Sequence, residues 1–159
     1  MRTRAIACAI TLTTVGILAP AAQTASTSKK KKKTITCEMR LVTQSFPTAS
    51  APGEDYGKIR CTAPFGSGLQ YDTFTLTPKN ATTGTAELKF KAYFNTGTVS
   101  GVWNADYVFT SETVGMFVQK VRWTKGTGAF KRVRGTGTGT GQQDGMRGTI
   151  KQRVTVTGL

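Results

Sequence analysis

The residues best equipped for chemistry in this 159-residue chain begin with Lys125 to Gly141, KGTGAFKRVRGTGTGTG. Closely spaced glycines with Lys125, Lys131, Arg132 and Arg134 are the ingredients of an anion-binding loop. Small residues let backbone N–H groups approach a phosphate, and cations neutralise it. The spacing misses both nucleotide patterns, however. Gly135-x-Gly137-x-Gly139-x-Gly141 is not GxGxxG, and no GxxxxGK[ST] occurs. A second basic group follows it. Read as a strand, the chain after Met146 puts Arg147, Lys151 and Arg153 on one face, against Ile150, Val154 and Val156 on the other. With Lys131, Arg132 and Arg134 from the preceding strand they form a candidate polyanion-binding patch.

Acid–base chemistry is narrowly bounded. The chain has no histidine and only eight acids. Ser-His-Asp and Cys-His mechanisms and imidazole-ligated zinc catalysis are therefore excluded. No residue is assigned a catalytic role, and neither a metal nor a cofactor is expected. The polar residues that alternation turns inward are Asp72, in phase with Phe74 and Leu76, and Gln152, in phase with Ile150 and Val154. Trp103 and Tyr107 share an apolar phase with Val99, Ala105 and Phe109. These four are the candidates to line an internal ligand cavity.

Elements that could position such groups follow from the pattern along the chain. Met1-Arg2-Thr3-Arg4 precedes an apolar run from Ala5 to Pro20 and then small residues. That is a signal peptide over about residues 1–25, and the run is short of the roughly 20 residues a bilayer span needs. Export leaves Cys37 and Cys61 as an even pair, read as a disulfide in an oxidising compartment. Residues 26–33, ending in Lys29 to Lys33, read as a basic disordered linker. The formal net charge is +14. Taking away Arg2, Arg4 and Lys29 to Lys33 leaves fifteen cations against eight acids, about +7 for residues 34–159. Such a domain is drawn to anionic polymers.

From Thr34 on, the period becomes two. Candidate strands are Thr34–Thr43, Gly57–Thr62, Leu69–Thr77, Thr85–Phe94, Thr98–Thr110, Val114–Trp123, Ala129–Thr140 and Met146–Thr157, with a Pro-rich loop over 44–56. Gln142-Gln143-Asp144-Gly145 carries the Asp-Gly hairpin signal. Eight short strands joined by hairpins, with no helical periodicity after the leader, point to an all-β antiparallel barrel of eight strands over residues 34–159. All fourteen aromatics lie from Phe46 to Phe130. The last two strands are rich in Gly and Thr, which suits strands that bend while rings from opposite strands fill the middle. The aromatics that could stack bases are accordingly expected in the core, although Tyr93 alternates onto the polar face of its strand with Glu87, Lys89 and Lys91.

Gly126-Thr127-Gly128-x-Phe130-x-x-x-Arg134-Gly135 resembles the GTGxFxxxRG signature of dirigent proteins and allene oxide cyclases, and Gly97-Thr98-Val99-Ser100-Gly101 resembles their glycine-bracketed strand. The resemblance covers roughly residues 68–159. It implies a calycin-like eight-stranded barrel with a hydrophobic central cavity, often trimeric, in a bacterial secreted member. In those families the motif is structural: Gly for the turn, the ring for the core, Arg for bracing. Their pocket residues have no clear counterparts here.

The expected function is a secreted, non-enzymatic barrel binding a small apolar ligand or an anionic cell-envelope polymer, with no specific nucleic acid, no transmembrane segment and a homo-oligomer in prospect. The alternative is an isomerase or cyclase of the dirigent or allene-oxide-cyclase type acting in the cavity.

Overall fold

The computed structural model describes residues 31–159. The expected leader and most of the basic linker lie outside these residues. Eight strands follow one another: β1 (Lys33–Ser45), β2 (Gly53–Cys61), β3 (Gly66–Pro78), β4 (Thr83–Phe94), β5 (Gly97–Phe109), β6 (Val114–Gly126), β7 (Arg134–Asp144) and β8 (Arg147–Thr157). Each pairs antiparallel with its sequence neighbours, and β1 pairs with β8, so the sheet closes into the expected eight-stranded barrel. Among the described residues no helix is long and apolar enough to cross a membrane.

Alternation drives the closure. In β1, Ile35, Cys37, Met39, Leu41 and Thr43 are buried while the residues between them are exposed. The same period runs through Ala86, Phe90, Ala92 and Phe94 of β4 and Val99, Trp103, Ala105 and Tyr107 of β5. Strand β7 inverts the usual composition, with threonine outward and glycine inward. A Cβ at Gly135 would meet Val154 and Val156, and one at Gly139 would meet Gln119 and Gln152. The missing side chains on β7 are thus the space into which β6 and β8 pack.

Cys37 and Cys61 face each other across β1 and β2 with Cα atoms 4.0 Å apart, and they form a disulfide. The link closes 24 residues, worth about 3 kcal/mol in the chain-entropy account.

The two ends of the barrel differ. At one end Phe65, from the β2–β3 connection, and Phe130, from a single 3-10 turn (Gly128–Phe130) between β6 and β7, fold back over the interior. Their rings stack with centroids 4.3 Å apart. Phe94 and Trp123 pack against this pair, edge-on to Phe130 and Phe65 respectively. This end is closed. The connections at 46–52, 79–82, 110–113 and 145–146 frame the other end.

Three expectations need correction. Strand β2 begins at Gly53, so Asp55 and Tyr56 belong to the sheet and not to the loop. Pro52 and Gly53 look like a continuing turn, yet Gly53 is buried against Phe74, where a Cβ would not fit. Strand β7 begins at Arg134 and not at Ala129, because residues 128–130 turn inward to seat Phe130. Finally, the aromatics are not all in the core. Tyr56 and Tyr93 lie on the outer face in phase with lysines, Tyr71 lies there opposite Lys91, and Phe46 sits exposed beside the open end.

Candidate functional site

The glycine-rich stretch that could have held a phosphate is instead the closure of the barrel. Gly128 has φ +56°, and a Cβ there would strike the carbonyl of Thr96. The Thr127 hydroxyl accepts from the Thr98 amide at 3.1 Å, tying this turn to the start of β5. Phe130 supplies the core ring. Arg134 donates from Nη1 to the Val133 carbonyl at 2.7 Å and braces the turn.

The opposite end holds a small open cavity of about 50 Å³. Its walls are mostly apolar: Leu41, Phe74, Leu76, Leu88, Phe109, Phe117 and Ile150, with Phe46 at the rim. Thr43, Asp55, Gln119, Gln142 and Gln143 are its polar members. The volume admits a few waters or a small chemical group, well below the roughly 300 Å³ where ligand pockets usually begin. Phe46, half exposed on its loop, is the wall residue that can move most cheaply.

Beside this cavity lies a carboxyl pair. Asp55 of β2 and Asp72 of β3 are direct cross-strand partners, a relation that puts Cβ atoms about 5 Å apart. Asp55 lines the cavity, and Asp72 is fully buried behind it. Burial pushes the Asp72 carboxyl up to about 8; the hydrogen bond from Gln70 opposes this, and the nearby Asp55 charge adds to it. Gln70 Nε2 donates to both Asp72 oxygens at 3.0 Å. Burial also raises the pKa of Asp55, against a hydrogen bond from Thr43. Several buried polar atoms have no protein partner: Asp55 Oδ1, Gln70 Oε1, Gln119 Nε2 and both polar atoms of the Gln152 amide. A barrel interior with an amide-and-carboxyl lining of this kind can donate and accept protons or hydrogen bonds next to an apolar surface.

The sequence-derived cavity candidates are all inside the barrel. Asp72 and Trp103 are fully buried, and Tyr107 and Gln152 nearly so. None of the four forms the cavity wall. Trp103 packs on Phe90 at 5.4 Å, Tyr107 packs on Phe109 at 5.3 Å, and Gln152 sits across from Cys37 and Gly139. Asp72 adjoins the wall residue Asp55, and Gln152 lies beside the wall residue Gln119 over Gly139. Asp55 and Gln119 are the residues the sequence reading missed. Carrying the alternation of Ile59 and Cys61 back through Gly57 would have found Asp55, and Gln119 is in phase with Phe117 and Val121.

The basic candidates divide into two groups. Lys131, Arg132 and Arg134 line a groove at the closed end with Lys31 and Leu159. Arg147, Lys151 and Arg153 point outward along β8. Arg134 is in register with Thr157, so Arg153 lies four residues, or about 13 Å, from it. Lys151 is engaged by Glu38 at 3.6 Å, and Arg147 is opposite Asp144. Among the described residues no cluster of three or more His, Cys, Asp or Glu could hold a metal ion.

No family model matches the chain, and no curated protein matches it in sequence. Among solved structures, a pterocarpan synthase dirigent protein is similar, with 14% identity, covering 80% of this chain and 95% of that one, and a TM-score of 0.48.

Proposed function

We propose that the barrel binds a small, largely apolar molecule at its open end and seats that molecule's hydroxyl group against Asp55 or its carbonyl group against the Gln119 amide. The carrying observation is that Asp55 Oδ1 and Gln119 Nε2, both in the cavity wall, are buried without a protein partner. Buried polar groups are nearly always paired, and unpaired ones converging on an apolar pocket are the usual equipment for orienting a ligand. Entry of a ring-sized ligand requires Phe46 to swing aside, since the cavity is only about 50 Å³.

A second reading is favoured by the carboxyl pair: a proton-transfer catalyst, an isomerase or cyclase of the dirigent or allene-oxide-cyclase kind that the Gly126–Gly135 stretch resembles. Asp72, held neutral near pH 7, keeps a proton beside Asp55. Like charges this close do not both ionise readily. The pair would share one proton, so Asp55 could accept one from a bound substrate while Asp72 stays protonated. Both readings place the protein outside the cell, with the leader at 1–25, the basic linker at 26–33 and the disulfide suited to that compartment.

The test is an NMR titration with phenol and cyclohexanol, following the methyl groups of Leu41, Leu88 and Ile150. Shifts at these methyls that vanish in a Phe46→Trp variant blocking the rim, with the rest of the spectrum kept, support the proposal. Shifts confined to the outer surface contradict it.

A further inference from the structure

The exposed tyrosines lie on one part of the outer sheet. Tyr56 of β2 and Tyr71 of β3 are direct cross-strand partners. Leu69, two residues from Tyr71 on the same face, is opposite Tyr93 of β4. Their exposures are 49%, 40%, 61% and 44% for Tyr56, Tyr71, Leu69 and Tyr93. Paired side chains on neighbouring strands stand about 5 Å apart, and diagonal ones about 7–8 Å. Three phenol rings and one aliphatic side chain therefore form a continuous platform in water.

Cations surround this platform. Lys58 is opposite Leu69, and Lys91 is opposite Tyr71. Lys91 Nζ lies over the Tyr93 ring, 4.9 Å from its centroid. Arg40 extends the row beyond Lys58. Three acids lie at the margins: Glu54, Glu38 and Glu87, the last exposed on β4 opposite Thr75. Glu54 accepts from the Tyr71 hydroxyl at 2.8 Å, and Glu38 pairs with Lys151 at 3.6 Å. The face thus offers flat π-surfaces and positive charge. It offers few amide or carboxylate acceptors of the kind that a sugar polymer's hydroxyl groups need.

We infer that the outer face of β2–β4 is a binding surface for single-stranded nucleic acid, read without sequence preference. Charge complementarity selects a polyanion, and the exposed rings select one whose repeating unit carries an unpaired flat base. Tyr56, Tyr71 and Tyr93 stack bases, while Lys58, Lys91 and Arg40 neutralise phosphates, the division of labour found on open sheet faces that bind single strands. The surface is on the opposite side of the sheet from the cavity, so this activity is independent of the proposed ligand seat.

The test is fluorescence anisotropy of the full mature chain with a labelled twenty-nucleotide oligothymidine. Duplex DNA of the same length, dextran sulfate and phosphatidylglycerol vesicles serve as competitors. The expected result is tighter binding to the single strand than to the duplex and quenching of tyrosine emission. Affinity falls about fivefold or more in Tyr71→Ala and in Tyr93→Ala, is kept in Tyr71→Phe, and weakens steeply with salt. The far-ultraviolet spectrum and melting temperature of each variant verify the fold, which exposed tyrosines leave intact. Equal affinity for duplex and single strand, or competition by dextran sulfate with no loss in the tyrosine variants, overturns the inference in favour of a general polyanion surface. Capture by vesicles alone overturns it in favour of a lipid surface.

Discussion

Replacing Asp72 by asparagine should change how stability depends on pH. The folded carboxyl is raised to about 8 from an ordinary 3.8. At about 1.4 kcal/mol for each tenfold change in acidity, that difference amounts to at most about 6 kcal/mol. The folded protein holds a proton that the unfolded chain releases. Stability from this group is therefore complete below pH 3.8, declines as pH rises through 8, and is flat above that. Water entry at the open end and relaxation around Gln70 reduce the ceiling, so the expected loss between pH 5 and pH 8.5 is about 2–4 kcal/mol. In the Asp72→Asn variant the introduced carboxamide oxygen would accept the Gln70 hydrogen bond, and the side chain stays neutral at every pH. The variant should match the parent near pH 5, exceed it by about that loss at pH 8.5, and show a flatter profile. The assay is urea unfolding at half-unit intervals from pH 5 to 9, with the slope against urea checked for constancy. Asp55→Asn removes the neighbouring charge and should move the parent's decline to lower pH. Identical pH profiles for parent and Asp72→Asn would mean that the buried Asp72 carboxyl holds no extra proton in the folded protein.

Removing the disulfide in a Cys37→Ser/Cys61→Ser protein should cost about 3 kcal/mol, read as a lower urea midpoint that reductant does not change further. Phe130→Ala opens the closed end, where Phe65, Phe94 and the ring meet, and should cost about 3–5 kcal/mol by thermal or urea denaturation. Gly137→Ala puts a methyl group onto the Arg153 carbonyl between β7 and β8. It should lower the melting temperature and speed amide exchange in those two strands first, whereas Thr138→Ala beside it, exposed on the outer face, should do neither.

The barrel was largely legible in the chain because alternation is a local signal. Ala86 to Phe94 and Val99 to Phe109 declare their inner faces residue by residue, and Asp72 and Gln152 inherit an inward orientation from their neighbours. What lay beyond reading was tertiary. Which end is closed depends on Phe65 and Phe130, delivered by connections and not by strands; the Gly126–Gly135 signature implies a core position for the Phe130 ring, but nothing near Phe65 announces that it folds back to meet it. That choice decides where the cavity is, and hence why Trp103 and Tyr107 are packed while Phe74 and Phe117 form walls. Asp55 was hidden by Pro47, Pro52 and Gly53, turn formers whose last member already begins a strand. Tyr93 shares the polar face of Glu87, Lys89 and Lys91 in the alternation of its own strand, but Tyr56 and Tyr71 were counted with the core because aromatic content was weighed as a sum. Their phase, opposite to Asp55, Asp72 and Phe94, puts them outside.

The most direct measurement of the central claim is a crystal structure of the protein grown with phenol. One ring is expected between Phe74 and Phe117 at the open end, its hydroxyl within hydrogen-bonding distance of Asp55, with Phe46 displaced to admit it. An open end that keeps Phe46 in place and shows no ring, at phenol concentrations that saturate the outer surface, would contradict that claim.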